Sequence, residues 1–577
     1  MTASSRKESS MNSGGQQMIR TRNHTNQAVL KEIISKSRRA NLPLETQYLI
    51  IFAFVYKYCS DSLKDHLMFL LQDKEVTLDE AYDGLRYSEE FRIDSYHLYG
   101  FHIERADAFM DEVINTKFES ETFFKDLFDA FDDNITFSDN YRDGTYITEL
   151  LDAVREEFPF EMYDSKNENT KILKDIIYSI SKLNVFESDF RFEDVFTALS
   201  DSRLLKVSTN PLYIYQILSA IIAVNHNGLE DVYDPFMRDG SSFWSLSLLS
   251  NNFRGNVYGK ESDRITYFYT IARLFFSYYN LDSLYFQNED ATDSADINQA
   301  SFDAILSVIP IKIRNYLTSS KNQSMEIVKR NKRAQLEDVL SKNFDMDLTS
   351  FAEDDELSRA LENLINKMDV EKESESQFSG EYEVLRQSEF LFLINLINSL
   401  KSNGIMAVSI SQNFLTKESL ATLRKYLTVE KNYIDAIINI PNEFGRYKHP
   451  ESVIIFRKNR NNSDVLFIDM TRDFETTRVP NVVPGLFRKN VLIATKDIEK
   501  MLDVLKSRNN VDKYSHLISQ DEIASNDFNL SVSKYVDTFE GEFVNLSSLE
   551  RERQEIDMKR QELDYKIDVM MKELNIK

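Results

Sequence analysis

The sequence contains a single cysteine, and this scarcity excludes several kinds of protein and site. Cys59 is the one thiol among 577 residues, so neither an intramolecular disulfide nor a metal site built from several cysteines can form. Cys59 lies inside an apolar segment with helical spacing. A buried structural thiol is therefore a better interpretation than a catalytic nucleophile.

Long apolar runs are missing as well. The longest, from Tyr48 to Tyr56, is much shorter than the ~20 residues that a membrane-spanning helix requires. Residues 1–27 are rich in Ser, Asn and Gln, which predicts a disordered leader in place of an apolar signal segment. We therefore expect a soluble protein of the cytoplasm.

Basic residues are outnumbered by acidic ones. Lys and Arg total 69 against 94 Asp and Glu, which gives a formal net charge of −25 at pH 7. Because affinity for DNA rests on Lys and Arg that neutralise phosphates, tight DNA binding by this chain alone is not expected. The densest basic cluster, KRNKR at 329–333, is more typical of a solvated helix face than of a DNA contact.

Four short apolar segments that end in polar or acidic turns form the most informative part of the chain. They are VYD at 232–234, NVYGKE at 256–261, LYFQNED at 284–290 and FDAILSV at 302–308. Such strands, alternating with helix-like segments, predict the βαβ units of an α/β fold with a parallel sheet. Nucleotide-like ligands bind such sheets at the carboxyl ends of the strands. The pattern thus favours an adenosine-type site, although acidic loop ends are also common without a ligand.

These segments resemble the motifs of S-adenosylmethionine-dependent adenine-N6 DNA methyltransferases, specifically the modification subunits of type I restriction-modification systems. The first motif of that family reads roughly DPxxGSG and matches Asp234, Pro235 and Gly240. By this resemblance Asp234 faces the methionine end of the cofactor, Glu261 the ribose hydroxyls and Asp290 the adenine. The resemblance implies a Rossmann-like methyltransferase domain that binds S-adenosylmethionine.

Two of the cofactor-facing motifs depart from the family pattern. Arg238 stands where the family has its first glycine, and Asp239 where it has Ser or Thr. The family's (E)FYTP motif is matched by Ser208-Thr209-Asn210-Pro211, in which the proline survives. We expect Pro211 to begin a helix. A surface turn kept after loss of cofactor binding is the alternative for the first motif.

The catalytic motif departs further. Its family form, NPP(F/Y), is replaced by Val308-Ile309-Pro310-Ile311. Methyl transfer to adenine N6 needs an acceptor on the exocyclic amine and an aromatic ring that stacks on the flipped base. Val308 has no side-chain acceptor and Ile311 has no ring, although the Ile309 carbonyl can still accept. We predict that no catalytic residue is intact, and methyl transfer by the family's mechanism is not expected.

Resemblance to the modification subunits extends over residues 28–577 and defines the domains. It implies an N-terminal helical bundle at 28–200, a methyltransferase-type domain at 201–525 with a helical acidic insertion at 313–385, and a C-terminal segment at 526–577. The helical periodicity of the N-terminal region is explained by a helical bundle and does not by itself indicate a function. In the family this region covers DNA and contacts the specificity subunit. Within residues 386–475 the pattern predicts helix, a turn at Gly404 and further strands that complete the sheet.

The C-terminal segment carries the most specific match. Residues 526–540 read NDFNLSVSKYVDTFE and resemble the (D)YNLNIxRYVDTFE segment of the family. Apolar residues then recur every seven positions, which predicts a terminal amphipathic helix; they are Leu549, Ile556, Leu563 and Met570. In the family this helix packs against the specificity subunit, whereas folding back onto its own domain is the simpler alternative.

Two functions remain open from the sequence. The first is a catalytically impaired relative of the modification subunit, which acts as a structural or regulatory subunit of a DNA-modification or defence complex. Its partners would be a specificity-type subunit and a restriction-type subunit, with DNA bound through the complex. The second is an active adenine-specific methyltransferase with an atypical site. Binding of S-adenosylmethionine without turnover lies between them.

Overall fold

The computed structural model describes most of the chain in separate stretches. These are residues 26–37, 42–70, 85–138, 143–163, 168–185, 204–225, 228–249, 255–276, 283–291, 301–310, 392–393, 396–441, 452–480, 487–537 and scattered positions between 553 and 566. Residues 1–25 of the expected leader, the insertion at 313–385 and Ile311 lie outside them. The predicted end of the leader at residue 27 is wrong, because the first helix begins at Asn26.

The N-terminal region is largely helical, as predicted. Its helices are α1 (Asn26–Ser37), α2 (Thr46–Leu70), α3 (Leu85–Tyr99), α4 (Met110–Lys117), α5 (Phe123–Asp132), α6 (Asp143–Glu157), α7 (Phe160–Tyr163) and α8 (Glu168–Ser181). Sequence reasoning missed a small antiparallel ladder between β1 (Phe101–Ile103) and β2 (Ile135–Phe137). Strands of three residues carry too little periodicity to be recognised.

The first half of helix α2 forms the centre of this region because it is apolar around its whole circumference. Leu49, Ile50, Ile51 and Phe52 are all fully buried, as expected of a helical segment without a polar face. The aromatic face of α5 packs onto it, with the rings of Tyr56 and Phe131 4.5 Å apart. Phenylalanines thus supply much of the packing here.

The second region is built on a nine-stranded sheet. Its strands, with a separate hairpin of β11 and β12, are β3 (Asp231–Asp234), β4 (Asn256–Lys260), β5 (Leu284–Gln287), β6 (Phe302–Val308), β7 (Leu400–Ile410), β8 (Ile434–Asn439), β9 (Ser452–Arg457), β10 (Val465–Asp469), β11 (Glu475–Pro480), β12 (Phe487–Leu492) and β13 (Ser515–Ile518). The order across the sheet is β13-β10-β8-β9-β7-β6-β3-β4-β5. Strands β7, β6, β3, β4 and β5 are parallel to their neighbours in that order. The predicted parallel arrangement is confirmed for these strands, whereas β9 and β13 run antiparallel to their neighbours, so the sheet as a whole is mixed.

The connecting helices of this region lie between and after these strands. They are α9 (Leu212–Asn225), α10 (Ser241–Leu249), α11 (Arg264–Phe276), α12 (Gln412–Thr416), α13 (Ala421–Lys425), α14 (Thr495–Ser507), α15 (Gln520–Ser525) and α16 (Val532–Tyr535). From β3 the chain moves outward through β4 to β5 and then returns to β6 on the other side of β3. The carboxyl ends of β3 and β6 therefore flank the point where the strand order reverses, which is where open α/β sheets bind ligands.

The prediction of a turn at Gly404 is wrong, because this glycine lies inside β7. Phe302 pairs with Leu400, but Ala304 pairs with Ile405, so β7 bulges between these two pairs. A Cβ on Gly404 would lie 3.0 Å from the carbonyl oxygen of Phe302. Glycine is needed because the two backbones approach closely at the bulge.

The helical region and the sheet share one hydrophobic core. The rings of Tyr58 and Phe275 are 4.9 Å apart. On the edge strand β5, the Phe286 N–H donates to the Tyr146 hydroxyl (3.0 Å), which donates to the Leu284 carbonyl (2.8 Å). Tyr146 of α6 thereby satisfies main-chain groups that an edge strand would otherwise expose.

The segment after α15 is fixed to the sheet domain. The Leu530 N–H donates to the Leu415 carbonyl at 2.9 Å, and the ring of Tyr535 lies 4.4 Å from that of Phe467. Beyond residue 552 the described residues are helical. Ile556 is 61% exposed and Leu563 is 59% exposed. Leu549 and Met570 lie outside the described residues.

No helix in the described part of the chain is both long enough and apolar enough to span a bilayer. The most apolar long helix, α2, also carries charged residues, among them Lys57 and Asp61, which form an ion pair at 2.8 Å.

Candidate cofactor site at the strand ends

The parallel strands bring most of the predicted site residues to one edge of the sheet. Asp234 ends β3, Glu261 follows β4, Asp290 follows β5 and Val308 ends β6. The Asn288 side chain donates to the Glu261 carbonyl at 2.8 Å, which ties the loops after β4 and β5 together. The expected grouping is therefore present in the fold.

Asp234 lies at the centre of this edge and is completely buried. Its Oδ1 accepts from the Phe236 N–H at 3.0 Å and from the Ser307 hydroxyl at 2.6 Å. Its Oδ2 has no hydrogen bond of normal geometry from the described residues. Burial raises the pKa of Asp234 to about 6, although the Ser307 and Ser242 hydroxyls act to lower it. Sequence reasoning missed Ser307, whose hydroxyl is the polar side chain that β6 presents to Asp234.

Glu261 is also buried, and it lies beside the guanidinium of Arg238. Nη1 of Arg238 lies 3.8 Å from Oε1 of Glu261, which also accepts from the Asp263 N–H at 2.9 Å. Burial raises the pKa of Glu261, and the positive charge of Arg238 counteracts this shift. The residue at the family's first glycine position therefore contacts the carboxylate expected to bind ribose.

The turn after Arg238 is held by a buried ion pair that sequence reasoning did not find. Nη1 of Arg273 lies 3.0 Å from Oδ2 of Asp239 and 2.6 Å from the Asp239 carbonyl. Gly240 follows with a φ of +71°, and a Cβ there would lie 2.8 Å from Cγ2 of Thr270. Asp239 and Gly240 thus pack the turn against α11, which carries Arg273 and Thr270. The available signal was an arginine within the otherwise apolar helix RITYFYTIARLFF.

Pro235 and the first two residues of the catalytic motif are integrated into the core. Pro235 is buried between Asp234 and the partly buried Phe236. Val308 is buried in β6, and the Ile309 N–H donates to the Ser409 carbonyl at 3.0 Å. Pro310 is partly exposed. At the first position of the motif the site therefore offers a buried aliphatic side chain with no acceptor.

The segment before α9 reaches the same edge. Pro211 directly precedes the helix, and its carbonyl accepts from the Ile214 N–H at 3.1 Å, so its role as a helix start is confirmed. The Asn210 amide donates to the hydroxyl of Tyr215 at 2.8 Å. Burial, followed by the charges of Asp234 and Asp239, raises the pKa of Tyr215.

An acidic cluster lies at the amino ends of β3 and β6. Carboxylate oxygens of Glu230, Asp231 and Asp303 lie within 4.8 Å of one another. Nζ of Lys401 lies 3.0 Å from Asp231 and 2.9 Å from Asp303. This ammonium group supplies the positive charge that a metal ion would otherwise bring, so the cluster is explained without a metal.

Comparison with known proteins finds relatives among DNA methylases. Residues 365–542 match the family described as N-6 DNA Methylase. The chain is 22% identical over 424 residues to the methylase subunit of the type I restriction enzyme MpnII of Mycoplasma pneumoniae, covering 70% of this chain and 69% of the relative. A segment of 140 residues, 23% of each chain, is 33% identical to the MjaVII methylase subunit of Methanocaldococcus jannaschii. The chain is thus similar to methylase subunits of type I restriction enzymes.

A solved structure agrees with this assignment at the level of the fold. The type I methyltransferase subunit of Streptococcus thermophilus superposes with a TM-score of 0.64 at 19% identity, covering 89% of this chain and all of that one. The resemblance of the sequence to modification subunits is thus confirmed. The N-6 DNA Methylase match begins at residue 365, after the strands that carry Asp234, Glu261 and Val308.

N-6 DNA methylases generally use S-adenosylmethionine, and the residues at the strand ends allow its fit to be tested. Oδ2 of Asp234 is buried and accepts no hydrogen bond of normal geometry from the described residues, which suits a ligand-facing group. Glu261, however, already faces Arg238, and Gly240 is required by Thr270 rather than by a ligand. The side chains as they stand do not fit the ribose of the cofactor.

Proposed function

We propose that this methylase-subunit relative is a catalytically impaired member of its family that serves as a structural or regulatory subunit of a DNA-modification or defence complex. Its binding of S-adenosylmethionine is weak or lost. DNA is bound through the complex, in keeping with the net charge of −25. A specificity-type subunit is the expected partner, and a restriction-type subunit is a further one.

One observation carries this proposal. The first position of the catalytic motif is Val308, a buried strand residue that has no atom able to accept a hydrogen bond from the adenine amine. Its neighbours belong to the same buried strand, in which all seven residues are buried. Supporting observations are the contact of Arg238 with Glu261 and the internal pairing of Asp239 with Arg273.

An active adenine-specific methyltransferase with an atypical site is the second candidate. The observation that favours it is the placement of Asp234, Glu261 and Asp290 after three adjacent parallel strands, where a cofactor would meet them. In this case the acceptor for the amine would have to come from the main chain or from a residue outside the usual motif.

One experiment separates the two candidates. The full chain is co-expressed with a specificity-type subunit from the same organism, and the purified complex is analysed by native mass spectrometry and incubated with DNA and S-adenosylmethionine carrying a radioactive methyl group. We expect a stable complex and no transfer of label to DNA. Labelled DNA would establish the second candidate, and the absence of any complex would contradict the assembly role.

The C-terminal helix offers a sharper test of assembly. Ile556 and Leu563 are exposed and lie seven positions apart, so the double variant I556E/L563E should weaken the complex without unfolding the chain. M162E is the matched control, because Met162 is a 70% exposed apolar residue in the N-terminal region. If both variants retain the partner equally, the C-terminal helix is not the contact.

A further inference from the structure

Arg238 occupies an unusual backbone conformation at the carboxyl ends of the strands. Its φ is +49°, in the left-handed region that side chains other than Gly, Asn and Asp seldom adopt. The surrounding turn enforces it. The Met237 N–H donates to the Lys260 carbonyl at 3.1 Å, the Gly240 N–H to the Met237 carbonyl at 2.8 Å, and the Thr270 hydroxyl to the Arg238 carbonyl.

This conformation directs Arg238 towards Glu261. Nη1 lies 3.8 Å from Oε1 of Glu261, and the Glu261 side chain is only 2% exposed. The main-chain N–H of Arg238 also stabilises the charged form of this carboxylate. A buried carboxylate requires a cation or several donors, and here a side chain of the same protein supplies the cation.

A ligand that placed ribose hydroxyls on Glu261 would have to compete with this guanidinium. Fixed inside the protein, the guanidinium acts at a high effective concentration. A ligand with a sulfonium charge would in addition meet the like charge of the guanidinium. Both effects oppose an adenosine-type ligand, and the second opposes S-adenosylmethionine in particular.

We propose that Arg238 is an internal occupant of the adenosine site, that it closes this site by pairing with Glu261, and that its removal opens the site to adenosine-type ligands. The inference deepens the proposed function and rests on it for the role of Glu261 towards ribose. It predicts that the acidic residues at the strand ends are competent for binding once the guanidinium is gone.

The experiment measures ligand binding to the full chain by isothermal titration calorimetry, with adenosine and S-adenosylmethionine as separate probes. Four proteins are compared: the native chain, R238G, R238K and R238G/E261Q. R238G restores the residue type that favours a positive φ, R238K keeps the positive charge, and the double variant removes the carboxylate charge that ribose would contact.

We expect no saturable binding to the native chain or to R238K and at least tenfold tighter binding of both probes to R238G. The gain should disappear in R238G/E261Q. Equal affinity of the native chain and R238G would overturn the proposal, because the guanidinium would then not compete. No binding to folded R238G would also overturn it, because other residues would then close the site.

A second variant covers a failure of R238G to fold. Asn tolerates the left-handed region and carries no charge, so R238N should show the same gain, and thermal unfolding of each variant reports its folding. The partner contact proposed above lies on the C-terminal helix, so native mass spectrometry of R238G with the specificity-type subunit tests the proposed function separately. If R238G binds adenosine but forms no complex, only the assembly role is contradicted. If R238G forms the complex but does not bind adenosine, only the closure of the site by Arg238 is contradicted.

Discussion

Arg273 and Asp239 form a buried ion pair, with Nη1 of the arginine 3.0 Å from Oδ2 of the aspartate and the two side chains only 2% and 10% exposed. Arg273 also donates to the Ser241 hydroxyl at 3.0 Å, and its guanidinium lies 5.5 Å from the centre of the Trp244 ring. The turn that the sequence resemblance assigns to the cofactor is here bound by the protein's own helix α11.

We predict that D239A destabilises the chain strongly. The substitution leaves a buried guanidinium without its counter-ion, and loss of one partner of a buried pair costs about 3–5 kcal/mol. The measurement is urea unfolding followed by circular dichroism. D107A is the matched control, because Asp107 pairs with Arg105 at the surface, and its urea midpoint should equal that of the native chain. Equal midpoints for D239A and D107A would contradict a buried role.

Gly240 should be intolerant of any side chain because two separate effects act on it. Its φ of +71° disfavours alanine, and the added Cβ would meet the Thr270 methyl group at 2.8 Å. We expect G240A to cost more than the ~1 kcal/mol typical of a left-handed residue. Gly228 has a φ of +81°, and a Cβ added there would have no atom within 4 Å. G228A is therefore the control and should show only the backbone effect.

A double-mutant cycle isolates the contact with Thr270. T270S removes the methyl group but keeps the hydroxyl that donates to the Arg238 and Thr266 carbonyls. G240A should therefore cost less in the T270S background than in the native one, measured as the difference in unfolding free energy. Identical costs in both backgrounds would show that the methyl group is not the obstacle.

The burial of Asp234 makes stability depend on pH in an unusual direction. Its pKa of about 6 lies above the ordinary value of 3.8, so the folded chain binds more protons than the unfolded chain between these values. The contribution of Asp234 is fully favourable below about pH 4 and falls as the pH rises to about 6, by on the order of 3 kcal/mol. D234N should therefore gain stability relative to the native chain as the pH rises from 4 to 7.5.

Asp303 supplies a control with the opposite sign. Burial acts to raise its pKa, but hydrogen bonds from Lys401 and from two main-chain N–H groups outweigh burial, and the net shift is downward. Its contribution is present above the ordinary pKa and is lost as the pH falls through the lowered one. D303N should thus lose stability at neutral pH. The measurement is the free energy of unfolding of each variant, relative to the native chain, as a function of pH in chemical denaturation. If this difference changes with pH in the same way for D234N and D303N, the opposite pKa shifts of Asp234 and Asp303 are both contradicted.

Arg424 should hold the segment after α15 in place. It is buried, and its guanidinium donates to the carbonyls of Phe528, Phe414 and Lys417. Burial lowers its pKa to about 10, so it remains charged at neutral pH. We expect R424M to increase hydrogen exchange at residues 526–536 at least tenfold, while exchange in β6 and β7 stays unchanged. If R424M changes hydrogen exchange at residues 526–536 no more than elsewhere in the chain, this anchoring role is refuted.

Local patterns predicted the strands of the first half of the sheet because each carries its own apolar run and acidic turn. The resemblance of residues 526–540 was likewise informative, since part of this irregular segment packs on Phe467 and Leu415. The bulge at Gly404 was not predictable, because it depends on pairing with Phe302.

The contacts within the site are non-local for the same reason. Arg273 follows Asp239 by 34 positions, and their pairing depends on how α11 packs against the turn. Ser307 reaches Asp234 across 73 positions because β6 and β3 are neighbours in the sheet. Sequence patterns can place residues at strand ends, but the direction of each side chain is set by tertiary packing.

Restoring the catalytic motif alone should not restore methyl transfer. In V308N/I311F, the new amide enters a strand in which all seven residues are buried, and an unpaired buried amide costs about 1–3 kcal/mol. Arg238 would still contact Glu261, so the cofactor would remain excluded. We expect a lower melting temperature and no label on DNA in the presence of the specificity-type subunit. The triple variant R238G/V308N/I311F is the informative comparison. If it alone methylates DNA, closure by Arg238 and loss of the amine acceptor are two separate blocks; if the double variant already does so, Arg238 does not obstruct the reaction.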